Sequence, residues 1–156
     1  MTDMPVVVLA GGLGTRLLEV TGDLMPKVLV PVDGRPFIDY KLRGLARLGV
    51  GEVVLLVDHM AEHVRAHVGD GSRFGLSVTC LEDGDSPLGT AGAVARAAPI
   101  LPRAFWLTYG DTFVEAPLTE VEQLLGDGTD AVMTVIQNAD RWEPSNVTIS
   151  KGRVVT

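Results

Sequence analysis

Cysteine is almost absent from this chain. Cys80 is the only one in 156 residues, which excludes an intrachain disulfide and any zinc site built from cysteines. Basic residues are also scarce: 13 Lys and Arg stand against 20 Asp and Glu, a net charge of −7. That balance excludes broad, non-specific binding to nucleic acid or to an anionic membrane, though not one local basic pocket for a phosphate. Long apolar runs are missing. The longest, six to eight residues, fall short of the ~20 needed to span a bilayer. Met1-Thr2-Asp3-Met4 has none of the basic residues that open a secretory leader, so a cytoplasmic domain is expected. No Gly-Lys pair occurs anywhere, which removes the P-loop from consideration.

What remains is an ordinary globular composition, 46% hydrophobic and 21% charged, in a length that suits one compact domain over residues 1–156. Glycine is the exception. There are 18, where average usage would give roughly 11, and the surplus sits in a few loops.

Four apolar runs are continuous rather than alternating: Val6–Leu9, Val53–Val57, Phe105–Leu107 and Ala131–Ile136. Continuity is what strands buried on both faces of a parallel sheet require. Leu76–Leu81 alternates instead, with Leu76, Val78 and Cys80 on one face and Ser77 and Thr79 on the other, which predicts a strand nearer an edge. Helical stripes fall between the runs: Ile38, Leu42, Leu45 and Ala46 ending at Gly49; Met60, Val64 and Val68 ending at Gly69; Ala91–Ala98 ending before Pro99; and Leu118, Val121, Leu124 and Leu125 ending at Gly126. This alternation predicts an α/β fold with a doubly wound, mostly parallel sheet. The tail breaks the rhythm: 146–150 and 153–156 read as a short terminal β-hairpin turning at Lys151-Gly152. The chain ends on an apolar strand pattern, which reads as a truncation, and an exposed seam there is expected to favour self-association into a homo-oligomer.

Three loops follow strand ends, and in a parallel sheet such loops share one rim. The first runs Leu9-Ala10-Gly11-Gly12-Leu13-Gly14-Thr15-Arg16-Leu17. Its glycines let backbone N–H groups turn toward phosphate oxygens, and Arg16 adds a permanent, planar charge. Lys27 follows, stiffened by Pro26. A dinucleotide fingerprint starting at Gly12 fails, because its third glycine position holds Leu17. The second loop, Pro87-Leu88-Gly89-Thr90-Ala91-Gly92-Ala93, offers small residues at a helix start where a flat ring can approach. The third, Tyr109-Gly110-Asp111-Thr112, places a carboxylate where it can hold Mg²⁺ near phosphates. Together they amount to the parts of a nucleoside-triphosphate site.

Leu9–Leu17, then Pro26-Lys27-Val28-Leu29-Val30-Pro31-Val32, resembles the signature of the sugar-phosphate nucleotidyltransferases, and Leu88-Gly89-Thr90-Ala91-Gly92 and Gly110-Asp111-Thr112 resemble the family's later motifs in order. The resemblance covers nearly the whole chain and is nearest to bacterial sugar-1-phosphate guanylyl- and uridylyltransferases. Glu19 stands where the family usually has proline, and the family's usual second half is missing. The resemblance implies a Rossmann-like nucleotidyltransferase fold and transfer of a nucleotidyl group from an NTP to a sugar 1-phosphate, with Mg²⁺ as cofactor. On it, Leu9, Ala10, Gly11, Gly12, Gly14, Thr15, Gly89, Thr90 and Gly110 surround the nucleotide. Arg16 counters charge on the departing pyrophosphate, Lys27 neutralises the α-phosphate, and Asp111 holds the metal. A non-catalytic nucleotide-binding domain, or transfer to a non-sugar phosphate such as phosphocholine, stays open beside this reading.

Other residues carry less. His59, His63 and His67 repeat at i+4, a metal-ligand spacing, but flank the buried stripe and are expected to face solvent. Cys80 and Trp106 read as core, Trp142 as a residue on the sugar side or none, and Glu82, Asp83 and Asp85 as a solvated acidic turn.

Overall fold

Val6, Val7 and Val8 present no polar side chain to either side, and both sides are covered. A computed structural model of the protein describes residues 2–11, 25–58, 60–82, 84, 89–113, 115–126, 128–139, 141 and 144–155. The chain divides into two compact units, Met1–Glu120 and Val121–Thr156.

The first unit is built on a parallel sheet of β1 (Val6–Leu9), β4 (Glu52–Val57), β5 (Ser77–Glu82) and β6 (Trp106–Tyr109), in the order β5-β4-β1-β6. Between β1 and β4 a small antiparallel hairpin pairs β2 (Pro31–Val32) with β3 (Arg35–Pro36). Asp33 and Gly34 turn it with φ of 49° and 73°, the left-handed pair that an Asp-Gly hairpin turn needs. Helices α1 (Phe37–Arg47) and α2 (Ala61–Val68) cover one face of the sheet. Their buried Ile38, Leu42, Leu45, Ala61, Val64 and Val68 meet Val6, Val8, Val53, Leu55 and Val57. Helix α3 (Gly89–Ala97) covers the other face, setting Ala93 and Ala97 against Val7, Val54 and Leu56. The sheet is therefore doubly wound, as expected.

Several sequence expectations need correction. β6 is an edge strand, hydrogen-bonded to β1 alone among the described strands, and Leu107 and Tyr109 are exposed on it. Apolarity there does not mean burial on both faces. Met60 stands outside α2 as its left-handed N-terminal residue, φ 58°, so Ala61 takes its place in the stripe. Helix α4 covers only Leu118–Glu122, leaving Leu124 exposed.

In the second unit, β7 (Ile149–Ser150) and β8 (Arg153–Val154) form the expected hairpin, with Lys151 and Gly152 both at positive φ. Ala131–Ile136 is not a strand. A strand exists only where a neighbour takes its backbone hydrogen bonds, and this run has no ladder partner among the described residues. Ile136 is 73% exposed.

Candidate functional site

Strand order decides where a site can form. From β1 the chain steps to β4 and β5 on one side, then crosses to β6 on the other. The sheet's topological switch point thus lies between β1 and β6, and a crevice opens outside the carboxyl ends of two such strands.

Two glycines let the segments there come close. The amide of Gly110 donates to the Leu9 carbonyl at 2.8 Å. A Cβ at residue 110 would stand 3.0 Å from that oxygen and 3.1 Å from Val28 Cγ1. Across β1, a Cβ on Gly11 would stand 2.9 Å from Asp58 Cβ, a separation side chains do not tolerate, while the Ala10 amide is fixed to the Leu56 carbonyl at 2.8 Å. Glycine at 110 therefore seats the end of β6 against both the end of β1 and the buried Val28, whose neighbour is Lys27.

That seating brings the two predicted charges together. Lys27 Nζ donates to Asp111 Oδ2 at 2.6 Å. The lysine leaves the short 3₁₀ turn Lys27–Leu29, which Pro26 opens, and the aspartate leaves the turn after β6. The Lys27 hydrogen bond holds the Asp111 carboxyl below the usual carboxylate range, with burial opposing it. Asp111 is thus an ionised, exposed carboxylate with a cation beside it. Of the nucleotide set, Leu9, Ala10, Gly11 and Gly110 gather here. Gly89 and Thr90 begin α3 beyond β5, two strands from β1, and are exposed. Gly12, Gly14, Thr15 and Arg16 lie outside the described residues.

Lys41 was not anticipated. It sits on α1, only 3% exposed, and its Nζ donates to Thr108 Oγ1 at 2.9 Å and to the Thr112 carbonyl at 2.7 Å. Burial pulls its pKa down to about 8, with Asp111 opposing. The signal was available: Lys41 lies three residues after Ile38 and four before Leu45, within the apolar stripe. Asp39, also buried, receives Arg73 Nη2 at 3.2 Å and lies 2.6 Å from His67 Nε2. His67 therefore turns inward to a carboxylate, contrary to the solvent-facing expectation, whereas His63 is exposed and His59 lies outside the described residues. No group of His, Cys, Asp and Glu suited to a metal occurs among the described residues. Burial raises the Cys80 thiol above its usual range, in keeping with packing. Glu82 pairs with Arg65 at 3.5 Å, while Asp83, Asp85 and Trp142 fall outside the described residues. No described helix is long and apolar enough to cross a membrane.

Residues 5–145 match the family model described as nucleotidyl transferase. Glucose-1-phosphate thymidylyltransferase of Streptomyces antibioticus is 38% identical over 126 residues, which are 80% of this chain and 35% of that protein. D-glycero-alpha-D-manno-heptose 1-phosphate guanylyltransferase of Campylobacter jejuni is 30% identical over 122 residues, 76% of this chain and 52% of the relative. The crystal structure of HddC from Yersinia pseudotuberculosis complexed with GMP-PN superposes with a TM-score of 0.69 at 33% identity, covering 78% of this chain and 54% of the other. The chain thus spans between a third and about half the length of these relatives.

Proposed function

The chain belongs to the nucleotidyl transferase family, and from that premise we propose that it serves transfer of a nucleotidyl group from an NTP to a sugar 1-phosphate in the cytoplasm. The products are an NDP-sugar and pyrophosphate. The observation that carries this reading is the Lys27–Asp111 pair at the switch point, 2.6 Å apart and beside Gly110. The relatives' names support the acceptor class, each acting on a sugar 1-phosphate.

In this reaction a phosphate oxygen of the sugar 1-phosphate attacks the α-phosphorus, and the bond to the bridging oxygen of the β-phosphate breaks. The acceptor is already an anion, so no strong base is needed. What the protein must supply is in-line alignment and relief of negative charge. The Gly11–Thr15 segment holds the triphosphate through its backbone N–H groups, and Arg16 offsets charge on the departing pyrophosphate. Lys27 turns its ammonium from Asp111 to the α-phosphate. Asp111 suits Mg²⁺: it is ionised, exposed and oxygen-donating, and magnesium in such sites takes one or two carboxylates with phosphates and water completing the shell. When bound, the metal supplies Lewis-acid polarisation of the phosphates. Gly89 and Thr90 offer a flat approach for the nucleoside.

The test is pyrophosphate release with GTP, UTP, dTTP and CTP against several sugar 1-phosphates and phosphocholine. Sugar-dependent release that Lys27→Met lowers by at least about 100-fold is expected. The variant keeps most of the apolar stem and loses only the charge. Release that is as fast with phosphocholine, or nucleotide binding without release under any acceptor, overturns the assignment.

A further inference from the structure

We propose that Lys41 is a positioning residue: from α1 it clamps the turn Gly110-Asp111-Thr112 and so fixes the Asp111 carboxylate, an inference that rests on the nucleotidyl-transfer reading for the identity of the ligand. An ammonium group is costly to bury, and an apolar side chain in its place would pack against the sheet at no such cost. Lys41 is nevertheless almost wholly buried, and both of its acceptors belong to one short stretch of chain. Thr108 Oγ1 lies three residues before Asp111, and the Thr112 carbonyl lies immediately after it. The two bonds therefore bracket the aspartate.

The same helix face grips the turn a second time. Phe37, one turn before Lys41, sets its ring against Phe113 at 5.0 Å between centroids. A four-residue step along α1 thus reaches Thr108, Thr112 and Phe113. Asp111 itself is exposed, on a turn at the end of an edge strand, and Lys27 bonds its carboxylate directly. Groups that orient a metal-binding side chain from behind are worth about 10–100-fold in metal affinity. Lys41 also adds a positive charge near Asp111, which favours the carboxylate's charged form.

The test is a double-mutant cycle on the full chain, read as Mn²⁺ affinity. Mn²⁺ is titrated by electron paramagnetic resonance in the presence of GTP, UTP, dTTP and CTP in turn. Lys41→Met should weaken Mn²⁺ binding about tenfold, and Asp111→Asn by at least as much. The double variant should bind no more weakly than Asp111→Asn alone, because the clamp has nothing left to position. Thr108→Val removes one of the two bonds without touching the lysine and should cost about two- to threefold; it decides the matter if Lys41→Met does not fold. Wild-type affinity in folded Lys41→Met overturns the proposal, as does a double variant whose losses multiply. An unaffected Thr108→Val beside an unfolded Lys41→Met also overturns it. If Asp111→Asn alone binds Mn²⁺ as the wild type does, the metal reading of the site fails and takes the Lys41 assignment with it. A weakened Asp111→Asn beside an intact Lys41→Met rejects only the Lys41 assignment.

Discussion

At the scale of single residues, this protein places charge where a core would be expected and leaves exposed what looks like core. Lys41 shows the first. Its folded pKa of about 8 lies below the ordinary 10.5, so between those values the unfolded chain binds more protons than the folded one. Stability linked to this group therefore rises with pH across that window, and the cost of burying the ammonium is fully present below pH 8. Comparing urea midpoints of wild type and Lys41→Met at pH 7 and pH 10 should show the wild type gaining about 2 kcal/mol on the variant at the higher pH. An unchanged difference would mean that the lysine does not titrate in this range. Tyr109 shows the reverse. It ends β6 yet is 55% exposed, on the same strand face as the exposed Leu107, while Trp106 and Thr108 on the other face are half-buried.

At the scale of elements, the legible parts were those whose pattern depends on local geometry. Helix α1 follows the Ile38, Leu42, Leu45 stripe, ends where Gly49 adopts φ 81°, and buries Leu42 completely. Leu42→Ala should cost about 2–5 kcal/mol in chemical denaturation, through lost transfer energy and the cavity left behind. A loss under ~1 kcal/mol would mean that the helix does not anchor the sheet as described. β5 was likewise readable as near an edge from its alternation, and Lys151-Gly152 as a hairpin turn. Ala131–Ile136 was not readable. Its residues favour strands, but whether a run becomes a strand depends on a partner far away in sequence, and composition carries no record of that. The Asp33-Gly34 pair, directly after Pro26–Val32, carries its own Asp-Gly hairpin signal. Of the site, glycine loops and the isolated Asp111 could be seen in the letters. The 2.6 Å meeting of Lys27 with Asp111 could only be expected as a shared rim, and the inward turn of Lys41 and His67 needed the packing itself.

At the scale of the whole molecule, β1 and β4 are the inner strands, buried on both faces, while β7 and β8 are exposed throughout. Hydrogen–deuterium exchange should find the slowest amides in Val7, Val54 and Leu55 and the fastest strand amides in Ile149–Val154. Comparable protection in both would mean that the second unit unfolds only with the first. The strand order has a different consequence. Lys27 and Asp111 stand 84 positions apart in the chain, and their meeting requires β6 beside β1. Contacts so distant in sequence raise the contact order, and no fragment of the chain ending before Asp111 contains both charges. The charge pair thus forms only when β6 stands beside β1. Any ligand that binds only the completed pair would draw the equilibrium toward the folded molecule by mass action.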